Sequence, residues 1–359
     1  MEGYELAVTG NAFQYLLTSI KHIKFLHPDS PKVAMNSVEN KLLHRILRKA
    51  KVFARMSSEE KYHLIKKLRT KDKVIGMWGD GANDCKALKT ADIGLSLSEA
   101  EASVAAPFTS IIQDISPVIQ LLKEGKTSLC VTFQLFKMIF LWAVIQSSGV
   151  FVMYYLNSDY TDIQFLYIDI VILFPIWFFM AVTKPAKHLT HHIPVGSLFS
   201  SKILLSIGGQ WIIHNVCMFT MWFILTEQDW YFPIVIDVGD EDIEVSYENW
   251  TFFLFCNIQY LSTLFSYNIA KPFMAPLYTN IVLSIWVIFS VLLSYWLIIS
   301  PSDQAIELIN LAYFPKEYRY VLAFVTMVNF ALSYMFETVA VEGFERYWQK
   351  RKELRKGYS

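Results

Sequence analysis

Residues 79–84 read Gly-Asp-Gly-Ala-Asn-Asp and follow the apolar run Lys73–Trp78. Asp80 and Asp84 are hard oxygen ligands. They suit Mg²⁺, which keeps several waters and takes one or two carboxylates. Asn83 can hydrogen-bond a phosphoryl group or hold a neighbouring carboxylate. Gly79 and Gly81 allow a tight turn and close backbone approach to a bound anion. A bare Asp-Gly pair is an ordinary turn. The longer pattern is more specific, because it stands at a strand end with a helix and another strand after it. Upstream, Lys61 lies early in the segment SSEEKYHLIKKL (57–68). A lysine there can bring positive charge to a phosphate at the sheet edge. Beside Lys66 and Lys67, however, spacing alone reads it as a solvated helix lysine.

A second set of candidate groups falls in the apolar part of the chain. Trp142 and Gln146 are four residues apart, on one helix face. Asp162 and Asp169 are seven apart, again on one face and about 10 Å apart along a helix. An acid inside a membrane span is costly and is a functional hypothesis by default. Phe165, Tyr167, Phe174 and Trp177 lie close to these acids in sequence. Carboxylates interleaved with aromatic faces suit an elongated organic cation, through ion pairing and cation–π contact. A bare metal ion would favour a tight oxygen cluster. Each residue also has a plainer reading. Asp162 can be a loop acid at a helix start, Gln146 can bond a neighbouring helix, and Trp142 can face lipid. Lys137 is expected to snorkel to the interface, Glu337 to sit near the cytosolic end of its span, His214 to bond a neighbouring helix, and Pro175 to kink the second span.

The elements that must position these groups divide the chain near residue 126. In residues 1–126, KVFAR (51–55), KVIGMW (73–78) and DIGLSL (92–97) read as strands, and 57–70 and 82–91 as helices. Ser57 with Glu60 three residues on forms a capping-box pattern. This alternation predicts a parallel sheet with crossover helices, and its C-terminal edge is where ligands bind. Six apolar runs follow, at about 128–156, 161–183, 203–226, 250–269, 279–300 and 319–341. Each is long enough to cross about 30 Å of hydrocarbon. Residues 346–359 form a basic tail.

Composition agrees with this division. Of 359 residues 54% are apolar and only 18% charged, and the formal net charge is zero, so no nucleic-acid partner is indicated. Cys85, Cys130, Cys217 and Cys256 are scattered and imply neither a disulfide frame nor a zinc site. The opening MEGYELAVTG does not read as a signal peptide. The 184–202 loop carries Lys184, Lys187 and Lys202 and no acid, and the tail is rich in Lys and Arg. The loop 227–249 holds eight acids and no Lys or Arg. Under the positive-inside rule the 184–202 loop, the tail and both termini are cytosolic. The acidic loop is a solvated face or a gatherer of cations at an entrance. The sequon Asn249-Trp250-Thr251 abuts a span, and glycosylation there is not expected.

VFARMSSEEK together with GMWGDGANDCKALKTADIGLSLSEAEASVAAPFTS resembles the phosphorylation domain of P-type ATPases. The wording is similar to the fifth class, second subgroup, the polyamine-transporting cation ATPases of late endosomes and lysosomes. The resemblance runs through the six spans to about residue 345. It implies a haloacid dehalogenase-like (Rossmann-like) α/β fold, here partial, followed by an all-α six-helix transmembrane domain. It implies that Asp80 binds Mg²⁺ with support from Asp84, that Asn83 positions the phosphoryl group and that Lys61 contacts it, with Gly79 and Gly81 shaping the loop. The D-x-Q-F-L-x-I-D wording, Asp162 to Asp169, and Gln146 match the family's transport groups; Trp142 stands where the family commonly shows Tyr. The DKTGT motif that carries the phosphorylated aspartate, the dephosphorylation loop and the nucleotide domain that binds ATP are absent from this sequence. The expectation is therefore the C-terminal third of a pump moving an organic cation from lumen to cytosol: a truncated gene model, one half of a split protein with a separate N-terminal half, or a degenerate copy. Alone it is not expected to hydrolyse ATP. Two other readings stand beside this one: a catalytically inactive membrane protein that binds Mg²⁺ or a partner, and a transmembrane-helix dislocase of the first subgroup.

Overall fold

The computed structural model describes residues 5–26, 37–70, 74–97, 106–233, 246–268, 272–309 and 311–356. Two compact units divide the chain, Met1–Leu121 and Leu122–Ser359.

The first unit begins with β1 (Leu6–Thr9) and α1 (Gly10–Leu26), followed by α2 (Val38–Lys49), β2 (Ala50–Ala54) and α3 (Ser58–Arg69). The expected capping box forms: Ser57 accepts from Glu60 N–H, and the Glu60 carboxylate accepts from Ser57 N–H at 2.7 Å. β3 (Gly76–Gly79), a 3₁₀ turn (Ala82–Asp84), α4 (Cys85–Thr90), β4 (Ile93–Ser96) and β5 (Phe108–Thr109) complete the described elements. β2, β3 and β4 fall within a few residues of the three expected strands, β1 and β5 are additional, and every pairing is parallel. They form two sheets rather than one, β1-β2 and β3-β4-β5. Phe13, Leu16, Leu17, Ile20, Leu43, Ile46 and Leu47 pack α1 and α2 together over β1.

The second unit is helical. The first helix, α5, whose opening residues Ser116–Leu121 belong to the first unit, runs without a break from Ser116 to Tyr155. Asn157, in the left-handed region at φ 55°, ends it, and Ser158 N–H closes the last turn on Met153 O at 2.9 Å. The next span, Asp162–Ala181, consists of α6 (Asp162–Tyr167), a π-helical stretch (Ile168–Leu173) and α7 (Phe174–Ala181). Pro175 explains part of this break. It has no N–H to bond the carbonyl four residues back, and that carbonyl, Val171 O, accepts instead from the Trp286 indole at 2.9 Å. Beyond it come α8 (Ser201–Thr226), α9 (Tyr247–Tyr267), α10 (Ile281–Ile299), the short α11 (Asp303–Ile309), α12 (Lys316–Met335), a second π-helical stretch (Phe336–Val341) and α13 (Glu342–Lys356).

Among the described residues five helices are long and apolar enough to cross a membrane: Ser116–Tyr155, Asp162–Ala181, Ser201–Thr226, Ile281–Ile299 and Lys316–Trp348. The sixth expected run forms α9, which is long enough but not among these five. It carries Asn257, Gln259, Ser262, Thr263 and Ser266, and nearly every side chain from Glu248 to Leu264 is buried. Packed against α8, α10 and α12, it has almost no free face. Such a helix need not be apolar all round where polar groups meet other helices, while Ser262 and Thr263 bond carbonyls of α9 itself. Gln259 donates to His214 O at 2.8 Å, and the Ser266 and Ser333 hydroxyls lie 2.7 Å apart.

Candidate functional site

Strand β3 delivers the glycine-rich turn to its C-terminal end. Leu97 N–H bonds Gly79 O at 2.9 Å, which fixes that end against β4. The 3₁₀ turn then buries Asp84 (7% exposed) and leaves Asp80 and Asn83 exposed. Lys61, from the first turn of α3, reaches Asp84 Oδ1 with its Nζ at 2.8 Å. Sequence alone read Lys61 as a solvated lysine; the structure pairs it with a buried carboxylate of the same turn. The other oxygen, Asp84 Oδ2, lies over Gly79, where an added β-carbon would stand 2.5 Å from it. Gly79 is therefore required by close packing. Gly81 is not: its backbone is extended (φ −117°, ψ 159°), and the nearest atom to an added β-carbon is Asn83 N at 4.0 Å.

Among the described residues no group of three or more His, Cys, Asp or Glu side chains is arranged to hold a metal ion. Asp80 and Asp84 on one turn are a smaller donor set of two carboxylates, one exposed and one buried. Nearby on α3, burial and then the Lys21 charge hold His63 below its ordinary value, and burial with Lys24 and Lys21 lowers Lys67.

In the second unit Trp142 and Gln146 line one open groove of about 390 Å³ with Ala143, Ser147, Val150 and Phe151. Trp142 is half-buried, and its ring meets Trp177 of α7 edge-on at 5.5 Å. Asp162 and Asp169 are both exposed side chains of the second span. Neither lines this groove. Asp162 stands in the first turn of α6, after the Thr161 N-cap; Asp169 lies in the π-helical stretch, where its carbonyl accepts from Phe174 N–H. The aromatics expected around the acids serve several partners: Phe165 packs on Tyr160, Tyr167 on Phe253 and Phe174 on Phe178.

Other polar residues have partners that the sequence did not show. Gln164 is fully buried at the start of α6 and donates to Asn249 Oδ1 at 2.6 Å and Ile309 O at 3.3 Å. Asn249 is itself buried, and its amide nitrogen donates to Asp159 O, so the folded chain offers no free amide to a glycan. Lys137 does not snorkel. Its side chain is 12% exposed and bonds Glu337, 4% exposed, at 2.8 Å. Glu337 in turn accepts from Ser206. Four residues along each helix, Gln210 meets Ser333, and four further on, His214 meets Asn329 at 3.3 Å. His214 thus bonds a neighbouring helix, as expected. The signal was present in sequence as two polar series of spacing four, 206/210/214 and 329/333/337, in separate apolar runs. Of the acidic loop, 234–245 lies outside the described residues, as do residues 98–105 of the glycine-turn homology.

No family model matches the chain. Among curated proteins it is 32% identical over 351 residues to the probable cation-transporting ATPase catp-6 of Caenorhabditis elegans, covering 97% of this chain and 28% of that protein. It is 35% identical over 301 residues to the human polyamine-transporting ATPase 13A2, covering 83% of this chain and 25% of that protein. The human polyamine-transporting ATPase 13A3 is 30% identical over 372 residues, covering 98% and 28%. The chain spans about a quarter of the length of these relatives and matches their C-terminal part. With its glycine turn at a parallel strand end and its apolar helices, the chain belongs to the cation-transporting ATPase 13A family, as the C-terminal part of one of its members.

Proposed function

We propose that this chain is the transport end and part of the phosphoryl-handling edge of an ATP-driven pump that moves polyamines or similar organic cations from lumen to cytosol. The observation that carries the reading is the groove on α5, which Trp142 and Gln146 line together. An aromatic face and a neutral amide can hold an alkylammonium chain without the tight oxygen cage of a metal site. Asp162 and Asp169 would supply the negative charge that the groove itself lacks, as exposed acids on the adjoining span.

In the first unit Asp80 and Asp84 would hold Mg²⁺, which when bound supplies charge neutralisation for a transferring phosphoryl group. Lys61 holds Asp84 in place and adds a positive charge at the same edge. Asn83, exposed on the turn, is placed to donate to a phosphoryl oxygen. The aspartyl nucleophile and the ATP site belong, in this reading, to another part of the longer protein. The strand pairing is consistent with it: β1-β2 and β3-β4-β5 are both parallel and do not pair with each other. A multi-pass location in late endosomes or lysosomes, with the first unit and both termini cytosolic, follows from the same reading.

The test uses the complete pump that carries this chain. Asp169→Asn is expected to abolish polyamine-stimulated ATP hydrolysis while leaving folding intact. Stimulation at the unsubstituted level refutes the assigned transport site.

A further inference from the structure

Lys137 is a primary amine inside the membrane unit with three kinds of partner. Its Nζ lies 2.8 Å from Glu337 Oε1, 2.8 Å from Ser206 Oγ and 3.8 Å from the centre of the Tyr267 ring. The three partners come from three elements other than α5: the second π-helical stretch, α8 and α9. Ser206 is fully buried and Tyr267 is 2% exposed. Ser206 also donates to both Glu337 oxygens, at 2.8 and 2.9 Å, which orients the carboxylate toward the amine.

As a staple alone this arrangement is hard to justify. Replacing a buried ion pair with packed apolar side chains is often neutral or stabilising, and apolar side chains are abundant here. A carboxylate, a hydroxyl acceptor and an aromatic face around one –NH₃⁺ are, on the other hand, what a receptor for a primary ammonium requires. Lys137 stands on the same helix as the groove, five residues before Trp142 and nine before Gln146, or about 7.5 and 13.5 Å at 1.5 Å per residue.

We propose that Glu337, Ser206 and Tyr267 form a binding site for the primary ammonium end of an organic amine, which the Lys137 side chain occupies in this state as a tethered stand-in. Withdrawal of Lys137 vacates the site for the amine of a bound molecule. Its place on a transport route rests on the proposed function; its ammonium chemistry does not.

The test is chemical rescue of the purified full chain in detergent. Lys137→Ala removes the three methylenes and the amine beyond Cβ, a fragment equal to n-propylammonium. Added n-propylammonium is expected to raise the melting temperature of K137A saturably, by about 2–4 °C. It should leave the parent chain and K137A/E337Q unmoved. Tetramethylammonium, which has the charge but no N–H, should not rescue. If K137A yields no folded protein, expression with n-propylammonium in the medium should restore a monodisperse peak. An absent rescue in both forms, or equal rescue of K137A/E337Q, overturns the proposal. The assay involves neither ATP nor transport, so it can fail while the Asp169→Asn test succeeds, and the reverse.

Discussion

Gly79→Ala separates a steric requirement from a conformational one. A β-carbon at position 79 would stand 2.5 Å from Asp84 Oδ2 and 2.7 Å from Asp84 Cβ and Cγ, against 3.4–4 Å for ordinary contact. About 1 Å of displacement is needed, and rotating the carboxylate cannot supply it, since Asp84 Cβ is fixed to the main chain. The 3₁₀ turn Ala82–Asp84 must move and take Asp84 away from Lys61. Overpacking of this kind costs about 1–3 kcal/mol. Gly81→Ala meets open space in an extended backbone, and is expected to be neutral or to stabilise by up to about 1 kcal/mol through the unfolded chain. The assay is amide hydrogen exchange in the purified full chain, over the peptide spanning β3 and β4. The Leu97 amide, bonded to Gly79 O, reports the opening. A cost of 1–3 kcal/mol appears as exchange about 5- to 150-fold faster in G79A, with G81A at or below the parent rate. Exchange in G79A within about twofold of the parent, or equal acceleration in G81A, refutes the packing argument.

Three further outcomes are expected. Gln164→Leu leaves Asn249 Oδ1 and Ile309 O without their shared donor; it should destabilise the membrane unit by about 1–3 kcal/mol in thermal unfolding, and an unchanged melting temperature contradicts the burial of this network. Gly209→Ala drives a methyl into the Phe336 ring and should cost about 1–3 kcal/mol by the same assay, relieved by Phe336→Leu, which makes room. His63 has its folded value held below the ordinary 6.5 by burial and by Lys21, with Lys66 and Lys67 adding to this and Glu59 opposing it. The unfolded chain therefore binds that proton more readily, so His63's contribution to the first unit's stability is fully present above about pH 6.5 and is lost as the pH falls below. His63→Gln should flatten that acid limb in a denaturant titration repeated across pH; an identical limb excludes His63 as its source.

What could be read in the sequence was what a short window or a strong period carries. The Ser57 capping box, the strand ends around Gly76–Gly79 and Ile93–Ser96, and the apolar length of α5 all belong to this kind. The division of the strands into two sheets was not legible, because strand order depends on contacts between distant segments. The sixth expected run forms α9 at its place, but its burial on nearly every side was not legible, because the groups that meet Gln259 and Ser266 come from distant segments. Lys137 was assigned to the interface because a lone lysine in an apolar run has no visible partner, and Glu337 stands 200 residues away in the chain. Gln146 and Trp142 were paired correctly by helix spacing. Asp162 and Asp169 were placed on one face by the same rule, but nothing in that spacing could show that the groove would be lined without them.

The two π-helical stretches, Ile168–Leu173 and Phe336–Val341, each contain one of the acids set within the apolar helices, Asp169 and Glu337. A π turn is an α-helix with one surplus residue taken up locally. The helix on either side therefore keeps its own packed face whether or not the surplus is present. Removing a single residue within either stretch would take out the surplus turn, in the first leaving only the bond that Pro175 cannot make, and would re-aim the acid without turning the flanking helix faces. Chain length at these two points is thus free to vary where the apolar faces are not, so an intramembrane charge can be gained, lost or rotated by a one-codon change that leaves the rest of the bundle in place.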